Sequence, residues 1–317
     1  MKLIIQIPCL NEEESIPKTL ADLPKKIEGV DSIEVLIIDD GSTDKTSEIA
    51  KANGVHHIVR LTKRKGLATV FQTGLDACLK RGADIVVNTD ADGQYKGEDI
   101  PRLVKPIVDG KADIVIGNRD IDNVDQFSPI KKMLQKLGSW VVRSLANSKI
   151  KDTTTGFRAY NREAALRLNI ISNYTYTLES IIQAEHKNLA ISNITINTNE
   201  VKRKSRLFKS IPEYIKRSVI TIIRVYAMFN PFSLFMRLGV LCNIIAIFIG
   251  LRFVVYYYYG AGEGKIQSLI LAAILFIVGF QFFVLGLIAD LISANRRLME
   301  DTLLRVKKIE LKLPSKK

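Results

Sequence analysis

Over roughly the first two hundred residues the apolar positions fall into two alternating patterns. Short, mostly apolar runs at residues 2–8, 33–38, 55–61, 83–88, 112–116 and 189–196 predict strands, the second stopping abruptly at Asp39 and Asp40. Between the runs, apolar residues recur at helical spacing. Ile16, Leu20, Leu23 and Ile27 mark a helix over 12–27; others are predicted from a Ser42 or Thr43 cap to Ala52, over 66–81, over 99–109 despite Pro106, over 127–148 and over 175–185. Strands alternating with helices in this way predict an α/β fold, a mostly parallel sheet with flanking helices on both faces. Ligands of such sheets collect outside the carboxyl ends of the strands, so the loops after the strands are where chemistry is sought.

The pattern changes beyond about residue 230, where apolar segments cover 238–259 and 266–289. Each can cross a hydrocarbon core, which takes about 20 residues. The first carries only Arg252, near its far end, and the second no charge at all. Joined by a short link around Tyr259, Gly260, Ala261 and Gly262, they predict a transmembrane hairpin, about 234–258 and 266–291, in preference to a pair of buried core helices. Residues 212–229 place Lys216, Arg217, Thr221 and Arg224 on one side and Ile215, Val219, Ile222, Ile223 and Tyr226 largely on the other. That is how a helix lies in a membrane interface, although an ordinary surface helix shares the pattern. The expected organisation is a soluble domain over 1–210, an interfacial helix over 211–230, the hairpin over 231–292 and a basic tail over 293–317.

Charge sharpens this picture. Lys and Arg number 46 against 33 Asp and Glu, a net charge of +13, but the bases gather beside the apolar segments and in the run Lys202-Arg203-Lys204-Ser205-Arg206. Anionic lipid and phosphate are therefore expected as partners, and nucleic acid is not. Lys216, Arg217, Arg224 and Arg237 precede the hairpin and Arg296, Arg297, Arg305, Lys307 and Lys308 follow it, whereas the link offers only Glu263 and Lys265. The positive-inside rule places both termini and the soluble domain in the cytoplasm. Residues 1–10 lack the basic start and the cleavage site of a signal peptide, in keeping with that orientation. Cys9, Cys78 and Cys242 are too few and too scattered for a disulfide framework or a thiolate metal site, which suits a reducing compartment. The pattern leaves a homo-oligomer open.

The strongest chemical signal is Asp90-Ala91-Asp92-Gly93-Gln94, directly after the predicted strand at 83–88. Two carboxylates one residue apart at a strand end can both face the cleft, where they repel each other. A hard divalent cation relieves the repulsion and leaves positions for diphosphate oxygens and water, with Gln94 as a further oxygen donor. An isolated Asp-x-Asp is more often a solvated turn. Here it has company: Asp39 and Asp40 end a neighbouring strand, where carboxylates can accept hydrogen bonds from ribose hydroxyls or a base, and Pro8, Asn11 and Glu12 end the first. Any one of these is ordinary turn chemistry, but three acidic strand ends on one parallel sheet point to a polyol or a metal.

At these residues the sequence resembles family 2 glycosyltransferases of the GT-A fold, and especially the polyprenyl-phosphate branch that includes dolichyl-phosphate mannose synthases and related glucosyltransferases. The matching motifs are Pro8-Cys9-Leu10-Asn11-Glu12, Asp39-Asp40-Gly41-Ser42, Lys65-Gly66-Leu67-Ala68, Asp90 to Gln94, Gly117-Asn118-Arg119, and Asp152-Thr153-Thr154-Thr155-Gly156-Phe157-Arg158. They span roughly the first two hundred residues; the set is specific for the family, less so for the branch, and silent on the sugar. One departure is Arg64, where the family often has glycine. The resemblance implies a metal-dependent, inverting transfer of a sugar from a UDP- or GDP-linked donor to a polyprenyl or dolichyl phosphate. It implies that Pro8, Asn11, Glu12, Asp39, Asp40, Lys65 and Asp90 bind the nucleotide-sugar and that Asp90, Asp92 and Gln94 hold Mg2+ or Mn2+. Arg119, with Lys131, Lys132, Arg203, Ser205 and Arg206, would face the acceptor phosphate, since charge-assisted contacts to phosphate are strong and oriented. For the basic run alone, a solvated or lipid-attracted loop explains the charges equally well. Asp92, Asp152 and Arg119 are the expected catalytic set. A phosphate acceptor arrives largely ionised at neutral pH and needs little help from a base, so Asp152 and Glu179 are candidates for orienting acceptor or sugar. An acid in the first turn of a helix, as Glu179 is, is also favoured by the helix dipole alone.

Two other readings compete. A processive polysaccharide synthase shares the sheet, the acidic pairs and the membrane helices, but such enzymes carry Gln-x-x-Arg-Trp, and the single tryptophan here, Trp140, follows Lys136-Leu137-Gly138-Ser139. A membrane-tethered binding module without catalysis would take nucleotide with no dependence on metal.

Overall fold

The computed structural model describes residues 1–119, 152–171, 175–199, 219–220, 223–224, 226–260 and 266–312. The helix expected over 127–148, the basic run at 202–206, most of the interfacial helix and the link at 261–265 lie outside these residues. The chain forms two compact units, residues 1–223 with 304–317, and residues 224–303.

The first unit is built on a seven-stranded sheet of β1 (Lys2–Cys9), β2 (Ser32–Asp39), β3 (His57–Arg60), β4 (Ile85–Asn88), β5 (Ile114–Arg119), β6 (Arg158–Asn161) and β7 (Ile191–Ile196), in the order β3-β2-β1-β4-β6-β5-β7. β1 is parallel to β2 and β4, β2 to β3, and β5 to β7, while β6 lies antiparallel between β4 and β5. The carboxyl ends of β1, β2, β4 and β5 and the amino end of β6 therefore share one edge. Strand order reverses at β1, which has β2 on one side and β4 on the other, and that is where a doubly wound sheet opens a crevice. Ile5, Ile7, Ile37, Val87, Val115 and Phe157 belong to the buried cluster beneath it.

Helices α1 (Ile16–Ala21), α2 (Thr46–Ala52), α3 (Leu67–Lys80), α4 (Ile100–Val108), α5 (Arg162–Arg167) and α6 (Tyr176–His186) cover the sheet. α4 shows how: Ile100, Leu103, Val104 and Ile107, spaced by three and four, are its buried face. Several expectations need correction. α1 is six residues rather than a helix over 12–27, because residues 11–15 form a turn whose Ser15 and Ile16 amides donate to Glu12 O, and Pro24 follows the helix closely. α2 begins at Thr46, where the Asp44 carboxylate accepts from the Thr46 amide at 3.0 Å; Ser42 Oγ is engaged by the Asn11 amide and caps nothing. β6 and α5 stand where no element was expected. α5 is started by Asn161, whose side chain accepts from the Ala164 amide.

In the second unit, α7 (Pro231–Tyr258) and the greater part of α8 (Ile266–Glu310) are both long and apolar enough to cross a membrane. α8 does not give way to a tail at residue 293: it continues as helix to Glu310, with Arg296 and Glu300 paired one turn apart at 2.9 Å. α7 and α8 approach closely at Gly239 and Gly279, where a methyl group on either residue would come within 2.8–3.0 Å of the other's carbonyl oxygen. Beside this contact the Asn243 side chain donates to Gly239 O at 2.8 Å. The final turns of α8 belong to the first unit, where Lys307 pairs with Asp76, Lys308 with Glu163, and Glu310 with Lys80.

Candidate active site

Two of the three acidic strand ends, those of β1 and β2, are joined by direct hydrogen bonds. Asn11, at φ 55°, donates its amide to Ser42 Oγ (3.0 Å) and accepts from the Thr43 amide (2.8 Å), while the Glu12 amide donates to Thr46 Oγ1 (2.8 Å). The loop after β1 is thus fastened to the loop after β2. Asp39 is fully buried; its carboxylate accepts from the Ser42 amide and the Ser47 hydroxyl, with Arg60 at 3.6 Å. Asp40 accepts from the amides of Lys65 (2.6 Å) and Gly66 (3.0 Å), which pins the loop before α3. Much of what these two aspartates do is hold the rim in place. The Lys65 side chain is exposed, whereas Pro8 and Asn11 are half-buried and Glu12 is 8 % exposed.

Asp90 and Asp92 follow β4 on the same edge. Asp92 accepts from the Gln94 amide at 3.0 Å, closing a tight turn, and Asn199 clamps that turn from the chain after β7: its amide donates to Gln94 O (2.8 Å) and its side chain to Gly93 O (3.0 Å). Burial pushes the Asp90 carboxyl up to about pKa 7, with Asp92 and Glu12 adding to the rise and Arg119 opposing it. The same convergence of acids acts on Cys9, whose thiol is raised first by burial and then by Glu12, Asp39, Asp44 and Asp90.

The loop 152–157 enters from the amino end of β6. Asp152, fully buried, makes a two-pronged pair with Arg119 (Nε to Oδ2 2.7 Å, Nη2 to Oδ1 3.2 Å) and accepts from the Thr154 amide and hydroxyl. Burial alone would raise its pKa; Arg119 and Thr154 outweigh that and hold Asp152 below the ordinary aspartate range. It stays ionised and bound. Glu179, also buried, accepts from the Ile171 amide (3.1 Å) and Gln183 Nε2 (3.0 Å). Lys131, Lys132, Arg203, Ser205 and Arg206 lie outside the described residues.

A profile of glycosyl transferase family 2 matches residues 4–168, more than half of the chain and all of these strand ends. The chain belongs to this family. Among its relatives is the undecaprenyl-phosphate mannosyltransferase of Micrococcus luteus, 32% identical over 56% of this chain and 74% of that one. Another is the UDP-N-acetylglucosamine–dolichyl-phosphate N-acetylglucosaminyltransferase of Methanococcus voltae, 30% identical over 61% and 83%. The fold matches that of glucosyl-3-phosphoglycerate synthase from Mycobacterium tuberculosis, solved with Mn2+, UDP and glucosyl-3-phosphoglycerate: the TM-score is 0.56 at 20% identity, over 71% of this chain and 78% of that one. The protein is accordingly a glycosyltransferase with a mixed, mostly parallel GT-A-type sheet.

Three residues matter to this glycosyltransferase in ways the sequence did not disclose. Arg158 is completely buried and distributes its guanidinium over Thr155 O, Thr153 O, Thr177 O and Ser180 Oγ, shaping the 152–157 loop from within. Asn88, the last residue of β4, donates to Gly156 O (2.8 Å) and the Tyr176 hydroxyl (2.9 Å), and accepts from Gln6. Gly156 is where this loop meets the Asp90 carboxylate: a Cβ there would lie 3.0 Å from Oδ1 and 2.9 Å from the Tyr176 hydroxyl. A polar Asn88 ending an otherwise apolar strand was the available signal.

As a metal site the donors are hard oxygens. Among the described residues no group of three or more His, Cys, Asp or Glu is gathered for a metal. A cation held by two carboxylates, with substrate phosphates and water completing the shell, suits Mg2+ or Mn2+.

Proposed function

We propose that this enzyme transfers a single sugar from a nucleotide-sugar to a polyprenyl phosphate, with a divalent metal, at the surface of the membrane that its hairpin spans. The observation that carries this reading is the carboxylate pair Asp90 and Asp92, after β4 beside the strand-order switch, with Arg119, at the end of β5 and paired with Asp152, close enough to act on the Asp90 carboxyl. Two relatives named for polyprenyl-type phosphate acceptors support the acceptor class, and two helices able to cross a membrane support an acceptor whose tail stays in lipid.

In this reading Pro8, Asn11, Glu12, Asp39, Asp40 and Lys65 form the nucleotide rim, and Asp90, Asp92 and Gln94 would hold Mg2+ or Mn2+. The bound cation offsets charge growing on the departing nucleoside diphosphate. Arg119, kept in place by Asp152, presents fixed positive charge to an anionic substrate. Asp152, ionised and fully engaged, positions that arginine and takes no proton; a phosphate acceptor is already a nucleophile at neutral pH. Lys131, Lys132, Arg203, Ser205 and Arg206 are assigned to the acceptor phosphate from sequence, and the catalytic domain and both termini to the cytoplasm by the charge asymmetry. The test incubates the purified protein with a panel of labelled nucleotide-sugars and either polyprenyl phosphate or the phosphate-free polyprenol. Label should enter the organic phase with the phosphate alone; transfer to the free alcohol, or none with any donor, would sink the reading.

A further inference from the structure

The α7–α8 hairpin contains two amide side chains deep in its apolar stretches, and they are treated differently. Asn243 on α7 is turned into the helix contact and donates to Gly239 O. Gln281, in the middle of the apolar stretch of α8, is exposed, and no hydrogen bond is made to it by any described residue. Hydrocarbon offers no hydrogen-bond partner, so an amide at that depth requires one from protein.

Its position along the helix says which protein. On α8 the face packed inward runs through Ala272, Gly279, Gly286 and Ser293, spaced by sevens. Gln281 belongs to the opposite face, where Ile274, Ile277, Val284, Ile288 and Leu291 follow the alternating three- and four-residue spacing of a helix-pairing seam and are all exposed. Aliphatic residues decide little in a membrane span, since lipid covers them as well as protein does. The amides do decide. Gln267, Gln281 and Asn295 occupy the same position of the seven-residue repeat, every second repeat, and all three are exposed. Leu298, 68% exposed, continues the seam past Arg296 and Arg297, where the apolar stretch has ended. Two copies of one chain insert in the same orientation, so their α8 helices pair in parallel and each such position meets itself at equal depth. An amide is both donor and acceptor and so complements its own copy.

We propose that α8 pairs with α8 of a second copy along this seam, with Gln281 hydrogen-bonded to Gln281 across the two-fold axis and Asn295 fixing the register. The proposal is independent of the catalytic reading and rests on α8 crossing the membrane, which carbonate extraction of the same membranes tests separately. In a background in which Cys9, Cys78 and Cys242 are each replaced by Ser or Ala, single cysteines are oxidised in native membranes. Gln281→Cys and Val284→Cys should give cross-linked dimers, while Phe276→Cys, equally exposed but on another face, should not. Independently, Gln281→Leu should weaken self-association of the full chain in detergent roughly three- to twentyfold, the effect of one interhelical amide contact. Cross-linking at position 276 as efficient as at 281, no cross-linking at either seam position, or unchanged association of Gln281→Leu would each overturn the proposal.

Discussion

Asp90 carries an unusual burden for a single side chain, since it is desolvated by burial at the strand end it occupies and then crowded by Asp92 and Glu12. Its folded pKa of about 7 lies above the ordinary aspartate value of about 3.9, so the folded chain keeps a proton that the unfolded chain has released between about pH 4 and 7. Stability of the metal-free protein from this group is therefore highest at the acid end and falls as pH rises through that window. Asp90→Asn should remove this loss: in thermal melts without metal, the variant's advantage over wild type should grow from about pH 5 to about pH 8, and Mn2+ should stabilise only the wild type. An advantage that does not change with pH would contradict the raised Asp90 carboxyl. Asp92→Asn tests the pair in catalysis. Loss of a metal ligand should lower turnover on the order of a thousandfold while melting temperature holds, and near-normal turnover would remove the metal assignment.

At the scale of elements, the site depends on how the 152–157 loop is held against the end of β4. Arg158 does most of this, because its planar donors reach three carbonyls and a hydroxyl at once, and a lysine at the same point cannot. Arg158→Lys should destabilise the protein by roughly 2–3 kcal/mol, from carbonyls left buried without donors, and should lower turnover with it. Unchanged melting would show that the loop is held by other means. The strand ends were legible in sequence because β1, β2 and β4 are mostly apolar runs followed within a few residues by acids. β6 was not. Arg158-Ala159-Tyr160-Asn161 is only four residues long and begins and ends in polar side chains, and the partners that let its arginine be buried come from other segments of the fold. Likewise the sequence located Asp39, Asp40 and Asp152 but could not tell that their carboxylates are engaged by neighbouring amides, hydroxyls and Arg119, since that depends on packing between distant segments.

For the whole molecule, the apolar hairpin was legible from length and composition, but the end of α8 was not, because Arg296 and Glu300 sustain the helix where charge suggested a tail. The basic residues on either side of the hairpin make a topological prediction. Cysteines replacing Gly262 and Ala294 should differ toward an impermeant thiol reagent applied outside intact cells, with position 262 alone reacting. Ala294 is chosen because it is exposed, whereas the adjacent Ser293 is buried and donates to Met228 O. Equal or reversed labelling would overturn the cytoplasmic placement of the catalytic domain. The most direct measurement of the activity itself is the stoichiometry and mass of the product formed from polyprenyl phosphate and a nucleotide-sugar with Mg2+ or Mn2+. The expected result is one nucleoside diphosphate released for each lipid product, every product carrying a single sugar, and no reaction once the metal is chelated. Products bearing growing sugar chains, or nucleoside diphosphate released with no glycosylated lipid, would contradict it.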